Sequence, residues 1–379
     1  MSIPVLWLSG PPGVGKTAVA WEIYLRLQRA GADPAYVDVD QLGMCNPAAT
    51  DDPDRHTLKA RNVAALRANF AASGARTLIV SGVVDAERGP DVDTLGGPDI
   101  VVARLRADPD ELRARLRRRR GSFAQHEAAV EEAEALDGST FANWCIDTSG
   151  LSIDEAATSA MRDIGDWPPA GNQPSDSPSS DNGTGAHVVG EVLWLSGTTG
   201  VGKSTIGFRA YLDVLRSGGH AAYVDVDQIG FCSTAPSDHS LRARNLAALW
   251  SNFHDVGARL AVVVGRVFTR SEALLYEQAL PRTRLSWCQL HVGDAELTRR
   301  ILSRSEGGSW SQPGDPLRDR PQHELLAVAD RAIAAGHLLD QHNIGLPIGV
   351  DCLDIEDAAV TLLRLARWPA GEPTETPSS

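Results

Sequence analysis

The sequence lacks several features that would place it in other classes of protein. Its five cysteines include no C-x-x-C pair, which argues against a disulfide framework or a cysteine zinc site and favours reduced thiols. No apolar run reaches the roughly 18 residues of a membrane-spanning helix. The opening residues lead directly into an apolar segment, so no signal peptide is expected. We therefore expect a cytoplasmic globular protein without a membrane partner.

Positive charge is also scarce. The chain carries 36 Lys and Arg against 49 Asp and Glu, a formal net charge of −13. General nucleic-acid binders show a basic footprint instead, so a nucleic-acid partner is not expected. A negative net charge does not exclude a local basic pocket that binds a phosphorylated ligand.

What the chain has twice is a glycine-rich loop. Residues 10–17 and 197–204 both fit G-x-x-x-x-G-K-[ST], in which backbone N–H groups surround phosphates, Lys reaches the β/γ-phosphates and the hydroxyl binds Mg²⁺. Two copies in matched context predict two sites for ATP and Mg²⁺. The residues expected to bind the cofactor are Gly10, Gly13, Val14, Gly15, Lys16 and Thr17, and Gly197, Gly200, Val201, Gly202, Lys203 and Ser204.

The duplication extends well beyond the loops. Y-V-D-V-D-Q recurs at 36–41 and 223–228, and H-x-L-[KR]-A-R-N recurs at 56–62 and 239–245. A segment rich in Pro, Ser, Asn and Gly separates the copies. We therefore predict an N-terminal domain at 1–167, a flexible linker at 168–187, a C-terminal domain at 188–369 and a disordered tail at 370–379.

Apolar strand-like runs alternate with helical patterns in both copies, which predicts an α/β fold with a parallel sheet and helices on both faces. Ligands of such sheets bind at the carboxyl ends of the strands, where the glycine loops and the D-V-D segments lie. If each D-V-D segment is extended, its two carboxylates point to the same side. Asp38 and Asp225 would then bind metal together with Thr17 and Ser204.

The remaining acids and the phosphate-loop lysines complete the predicted catalytic set. One carboxylate of each pair would take a proton from an acceptor hydroxyl. The alternative is an acidic strand end that only caps a loop. The predicted catalytic residues are Lys16, Asp38, Asp40, Lys203, Asp225 and Asp227.

Basic and polar side chains supply candidates for acceptor binding. Arg61 with Asn62, and Arg244 with Asn245, lie on the repeated helix; a structural role, bracing a neighbouring loop, is equally open. Arginines after the fourth strand of each copy, among them Arg117, Arg120 and Arg304, are typical of a lid over phosphates, although such a run is more often a solvated helix face.

The two copies differ after their third strands. The first has Val83 and Asp85 where the second has Arg266 and Phe268. Asp85 and Arg266 are therefore predicted to bind different acceptors, or one copy has become regulatory.

Together, W-L-S-G-x-x-G-V-G-K-[ST], D-V-D, R-L-R-A-D-P-D-E-L-R-A-R-L at 104–116 and I-D-T-S-G-L-S at 146–152 resemble the P-loop kinases of small molecules. These include adenylylsulfate, shikimate and gluconate kinases and chloramphenicol phosphotransferase. The resemblance covers most of each copy and implies two tandem domains of the nucleoside-monophosphate-kinase-like P-loop NTPase fold. D-V-D-Q departs from the D-G-D-N usual in adenylylsulfate kinase, so that substrate is not implied.

The favoured interpretation is an ATP- and Mg²⁺-dependent phosphotransferase that acts on a hydroxyl of a small-molecule acceptor. Two alternatives remain: a nucleoside monophosphate kinase, and a nucleotide-switched ATPase or regulatory protein. Neither third strand ends in the Asp-Glu pair common in mechanochemical ATPases, which favours the kinase. The two halves form either an intramolecular pseudo-dimer or independent domains.

Overall fold

The computed structural model describes residues 2–97, 99–117, 123–165, 167–168, 187–304, 317 and 320–369. The tail at 370–379, nearly all of the predicted linker and the lid residue Arg120 lie outside the described residues. The strands are β1 Val5–Ser9, β2 Pro34–Asp38, β3 Cys45–Asn46, β4 Thr77–Ser81, β5 Ile100–Arg106, β6 Trp144–Asp147, β7 Gly190–Ser196, β8 Ala221–Asp225, β9 Phe231–Cys232, β10 Leu260–Val264, β11 Thr283–His291 and β12 Leu346–Gly349.

Helices connect these strands. They are α1 Lys16–Arg29, α2 Val39–Leu42, α3 His56–Ala72, α4 Val92–Leu95, α5 Pro109–Arg117, α6 Phe123–Asp137, α7 Ile153–Ile164, α8 Lys203–Arg216, α9 His239–Asp255, α10 Arg270–Ala279, α11 Asp294–Ser303, α12 Gln322–His342 and α13 Ile355–Ala366. No helix within the described ranges is long and apolar enough to cross a bilayer.

The chain forms two compact units, and each combines residues of both sequence copies. Unit 1 comprises residues 1–43, 49–182 and 228–252, and unit 2 comprises residues 44–48, 183–227 and 253–379. Each unit therefore includes a segment from the other copy. The predicted boundaries at 167 and 188 stay a prediction.

Unit 1 is built on a six-stranded sheet with the order β6-β5-β1-β4-β2-β9. The first five strands are parallel, and β1 and β4 are buried along their whole length because their runs VLWLS and TLIVS are almost entirely apolar. Helices α1 and α7 pack on one face through Ile23, Leu27 and Ala157. This packing fixes the carboxyl ends of β1, β2 and β4 side by side.

Unit 2 repeats the plan with the order β12-β11-β7-β10-β8-β3. Five strands are again parallel, and α8 and α13 cover one face through Ile206, Ala210 and Leu362. Both units are thus α/β structures with helices against mostly parallel sheets.

The expectation of purely parallel sheets is wrong at one edge of each sheet. Antiparallel β9 pairs with β2, with Cys232 opposite Ala35. Antiparallel β3 pairs with β8, with Cys45 opposite Ala222. Each added strand comes from the other sequence copy and has two residues, too few to show any periodicity.

The expected extended geometry of the D-V-D segments is also wrong. Asp38 is the last residue of β2 and the N-cap of α2, where its Oδ1 accepts a hydrogen bond from Asp40 N at 3.0 Å. Asp225 accepts from Asp227 N in the same way, at 3.0 Å. The second acid of each pair has therefore left the strand, so strand alternation does not place it.

Candidate active site

The phosphate loop of unit 1 lies between β1 and α1. Gly10 has φ +141, and a Cβ there would overlap the carbonyl oxygen of Leu105. Gly15 is the N-cap of α1 with φ 104, so no side-chain group caps the first N–H groups of the helix. Lys16 Nζ donates to the carbonyl of Pro11 at 3.1 Å. A helix N-terminus with an adjacent ammonium group is an anion-binding arrangement.

Unit 2 repeats this arrangement between β7 and α8. Lys203 Nζ donates to the carbonyl oxygens of Gly197 and Thr198, both at 2.9 Å. Desolvation lowers the pKa of Lys203 to about 8; nearby Asp227 and Asp225 oppose the shift, while Arg266 and Arg304 add to it. A bound polyphosphate would raise this pKa again, because it favours the charged ammonium.

A hydroxyl and a carboxylate meet directly behind each loop. Thr17 Oγ1 donates to Asp38 Oδ2 at 2.9 Å, and Ser204 Oγ donates to Asp225 Oδ2 at 3.1 Å. In unit 1, Ser81 Oγ at the end of β4 also reaches Asp38 Oδ2, at 3.3 Å. Oxygen donors of this kind suit Mg²⁺, which takes one or two protein ligands and completes its shell with phosphates and water. Among the described residues no cluster of three or more His, Cys, Asp or Glu forms a metal site.

The acidic pair of unit 1 is strongly desolvated at its first member. Burial raises the pKa of Asp38 to about 6, the neighbouring charge of Asp40 adds to the rise, and the hydrogen bond from Thr17 opposes it. Asp40 is exposed. One acid is thus held against the phosphate loop, and the other faces solvent where an acceptor could enter.

The acidic pair of unit 2 has a cationic neighbour. Arg266 Nε lies 3.5 Å from Asp227 Oδ2, and the arginine side chain is 40% exposed. Val83 occupies the corresponding position in unit 1. The two acidic pairs therefore differ in local charge.

The segments that follow β4 and β10 differ in structure as well as in sequence. Asp85 Oδ1 accepts from the backbone N–H groups of Glu87 and Arg88, both at 2.9 Å, and these bonds lower its pKa. In unit 2 the equivalent segment enters α10, which Thr269 and Glu272 begin with a capping box. Asp85 is therefore engaged in its own turn, and its acceptor role stays a prediction.

The predicted acceptor residue Asn62 is enclosed by protein. It is fully buried, its Nδ2 donates to the carbonyl of Leu42 at 2.8 Å, and its Oδ1 accepts from Asn252 Nδ2 at 2.9 Å. All three residues belong to unit 1. The contacts are those of a residue that braces the segment after Asp40, which was the alternative interpretation.

The corresponding residue Asn245, also in unit 1, makes the same pair of contacts. It is fully buried, donates to the carbonyl of Ile229 at 2.7 Å and accepts from Asn69 Nδ2 at 2.9 Å. The same bracing geometry therefore occurs twice. Acceptor binding by either asparagine stays a prediction.

The neighbouring arginines also contact protein groups within unit 1. Arg61 Nη2 donates to Asn252 Oδ1 at 3.1 Å, and Arg244 Nη2 donates to Ser73 Oγ at 2.8 Å. Both guanidinium groups are only partly buried. Their predicted contact with an acceptor is untested.

Two arginines that support the phosphate loops were not singled out as site residues. Arg115 Nη1 donates to the carbonyl of Val14 at 2.9 Å, and Arg300 Nη1 donates to that of Val201 at 2.9 Å. Their matched places, directly before Leu116 and Ile301 in the two copies, are the signal that could have identified them. They brace the loops from α5 and α11.

Two of the predicted lid residues lie within the described residues. Arg117 is exposed, and the positive charge of Arg304 helps to lower the pKa of Lys203.

The phosphate loop and acidic pair of unit 1 are called site 1, and those of unit 2 are called site 2. Glu132 on α6 is a further acid near site 1 that the motifs did not indicate. Burial raises its pKa, and the charge of Lys16 opposes that shift while Asp40 adds to it. No repeated motif contains it, so the sequence offered no signal.

Comparisons with known proteins cover part of the chain. Residues 7–137, about a third of the chain, match the family model described as an AAA domain. The match runs from β1 to the end of α6 and so includes the first phosphate loop. No curated protein matches the chain.

Several solved structures are similar over less than half of the chain. Shikimate kinase from Bacteroides thetaiotaomicron is 15% identical, covers 46% of this chain and 98% of its own, and has a TM-score of 0.32. The Mycobacterium tuberculosis APS kinase CysC, solved with AMPPNP and APS, is 17% identical. It covers 47% of this chain and 98% of its own, and its TM-score is 0.31. The Deinococcus radiodurans tunicamycin resistance protein is 23% identical, covers 43% of this chain and 96% of its own, and has a TM-score of 0.30.

Proposed function

We propose that the protein is an ATP-dependent phosphotransferase that moves the γ-phosphoryl group of ATP to a hydroxyl of a small-molecule acceptor. The observation that carries the proposal is the contact of Thr17 Oγ1 with Asp38, an acid supplied by β2, at 2.9 Å. Support also comes from β4, the strand between β1 and β2, which ends in Ser81 and Gly82 rather than in an acidic pair.

In site 1, the N-terminus of α1 and Lys16 would bind the β- and γ-phosphates of ATP. Thr17 and Asp38 would hold Mg²⁺, which when bound neutralises charge on the phosphate oxygens. Asp40 would accept the proton of the acceptor hydroxyl. The acceptor oxygen then bonds to the γ-phosphorus, and the bond from that phosphorus to the β,γ-bridging oxygen breaks, leaving ADP.

Site 2 would work in the same way with Lys203, Ser204, Asp225 and Asp227. We propose that it takes a different acceptor, because Arg266 stands beside Asp227 where unit 1 has Val83. This proposal includes two kinase-like halves joined in tandem as an intramolecular pseudo-dimer. A nucleoside monophosphate as acceptor is the variant that Arg61, Arg244 and the lid arginines would suit.

A nucleotide-switched ATPase is the second candidate, and the match of residues 7–137 to an AAA domain model is the observation that favours it. In that case water replaces the acceptor, and ATP turnover is independent of added hydroxyl compounds. The two candidates therefore differ in one measurable property.

The deciding experiment is ATP consumption over a panel of sugars, nucleosides, aminoglycosides and nucleoside monophosphates. We expect ADP to form only with a suitable acceptor, and Lys16→Ala and Lys203→Ala each to remove one ATP site in a titration. Arg29→Ala, a basic residue at the far end of α1, is the matched control and should change neither result. Hydrolysis that no acceptor stimulates would contradict the kinase proposal and favour the ATPase.

A further inference from the structure

Unit 2 contains an open cleft that no predicted function uses. It has a volume of about 360 Å³ and lies between the ends of β11 and β12 and the end of α12. Its lining residues are Gln289, His291, Asp340, Asn343, Pro347 and Gly349. None of them belongs to the phosphate loop or the acidic pair of site 2.

Polar contacts in the cleft centre on one carboxylate. Asp340 Oδ1 lies 2.9 Å from His291 Nδ1 and accepts from Gln289 Nε2 at 3.3 Å. The aspartate side chain is 52% exposed. His291 Nε2 is buried and makes no hydrogen bond to the described residues.

These contacts leave the cleft rich in hydrogen-bond acceptors. Gln289 uses its amide N–H on Asp340, which leaves its carbonyl oxygen as an acceptor. A ligand that satisfies the cleft must therefore bring N–H donors and positive charge.

Unit 1 fills the equivalent place with its own guanidinium groups. The strand registers align Arg104 with Gln289, since Ser9 pairs with Arg104 and Ser196 with Gln289. Arg104 Nη1 lies 2.8 Å from Asp137 Oδ1, the counterpart of the contact that Gln289 makes with Asp340.

The second position along, at the carboxyl end of β5, shows the same replacement of arginine. Arg106 in β5 lies 3.6 Å from Asp147 and 3.9 Å from Asp137, whereas unit 2 has His291 and Gly349 at the matching positions. Unit 2 thus has a carboxylate, Asp340, where unit 1 has Asp137, but it has neither of the two arginines that contact this carboxylate in unit 1.

We propose that the cleft of unit 2 is a binding site for a small cationic ligand that carries a guanidinium or amidinium group. The planar group would occupy the volume of the missing arginines and donate to Asp340 in the bidentate manner of arginine. The proposal is independent of phosphotransfer. It assigns unit 2 a ligand whose place in unit 1 is taken by the side chains of Arg104 and Arg106.

The test uses methylguanidinium with the full-length protein at constant ionic strength, followed by isothermal titration calorimetry and by the His291 imidazole signals in NMR spectra. We expect saturable binding with a dissociation constant of about 1–10 mM, as suits so small a ligand. Methylurea has the same shape without the charge and should not bind. Absence of saturable methylguanidinium binding, or equal binding of methylurea, would overturn the proposal.

Two variants separate the cleft from general charge effects. Asp340→Asn keeps the shape and should weaken binding at least about tenfold. The double variant Gln289→Arg/His291→Arg supplies the side chains of unit 1 and should abolish binding while the protein remains folded by circular dichroism. Undiminished binding in Asp340→Asn would place the ligand elsewhere and refute the assignment. If the double variant does not fold, the single variant still decides.

Discussion

Asp38 carries two requirements that conflict. The hydrogen bonds that both of its oxygens accept, from Asp40 N and from Thr17, favour the ionised form, yet burial raises its pKa to about 6, above the ordinary 3.8. The folded protein therefore binds more protons than the unfolded chain between about pH 4 and 6. Stability falls as the pH rises through this window, and the full cost is present above it. Unit 1 thus accepts a stability cost at neutral pH to keep a carboxylate beside the phosphate loop.

The first prediction concerns Asp38→Asn. At pH 8 the variant should be more stable than the wild type, by about 2–4 °C in melting temperature for each kcal/mol of the cost that is removed. The gain should shrink as the pH approaches 4, because the wild-type carboxyl is then protonated. Phosphotransfer through site 1 should be lost. Calorimetric melting curves from pH 4 to 8 measure the effect; a gain that does not depend on pH would contradict the assigned cause.

A second prediction exchanges Val83 and Arg266. The ion pair of Arg266 with Asp227 is partly exposed, so Arg266→Val should change the free energy of unfolding by less than about 1 kcal/mol. Acceptor preference should change more strongly. In a protein that also carries Lys16→Ala, so that only site 2 is active, Arg266→Val should lower kcat/KM for anionic acceptors at least about tenfold.

The reciprocal variant Val83→Arg, combined with Lys203→Ala, should raise the preference of site 1 for anionic acceptors. Steady-state kinetics with matched neutral and phosphorylated acceptors measures both effects. Parallel changes with neutral and charged acceptors would show that residue 266 does not determine specificity.

At the scale of secondary structure, the sequence predicts the elements with strong periodic or capping signals. The apolar runs of β1 and β4 form buried strands, and Val63, Leu66 and Phe70, which follow helical core spacing, are buried in α3. The capping box that begins α10 is visible in the sequence as T-x-x-E at 269–272. These features depend on local residues alone, which is why sequence reasoning can reach them.

Elements set by tertiary contacts could not be predicted. Strands β3 and β9 have two residues each and exist only because the edges of β8 and β2 are available. The position of Asp40 depends on the cap made by Asp38, which turns the chain into α2. The phosphate loops were thus predictable from their glycines, whereas the acceptor side was not.

The third prediction tests the added strands. In unit 1, the Phe231 ring lies 4.8 Å from that of Trp21 and 5.9 Å from that of Tyr36, which fixes β9 on β2. Phe231→Ala should destabilise unit 1 by about 2–3 kcal/mol, less than for a fully buried ring. Amide exchange measured by mass spectrometry should increase over Pro34–Asp38.

Met44 is the matched control, because it precedes β3 as Phe231 begins β9 and packs on the core of unit 2. Met44→Ala should increase exchange over Ala221–Asp225 and leave Pro34–Asp38 little changed. Equal responses of both segments in both variants would mean that the added strands do not stabilise their own units.

At the scale of the whole molecule, residues 228–252 belong to unit 1 and residues 44–48 to unit 2. The contacts are reciprocal in sequence: Asn252 bonds to Asn62 and Asn69 bonds to Asn245, and both pairs of equivalent residues differ by 183 positions. A single copy therefore lacks groups that its own sheet edge and its own buried asparagine require.

The last prediction is that a fragment of residues 1–167 does not persist as a folded monomer. Without residues 228–252, the edge of β2 is open and Asn62 loses the donor Asn252. Open edges pair with other chains, and the segment around Cys45 is the fragment's own equivalent of β9. We expect self-association in light scattering after size exclusion, and a 1:1 complex when residues 188–369 are co-expressed. A monomer that unfolds cooperatively would contradict this prediction, because it would show that one copy satisfies its edge and its buried carboxamide by itself.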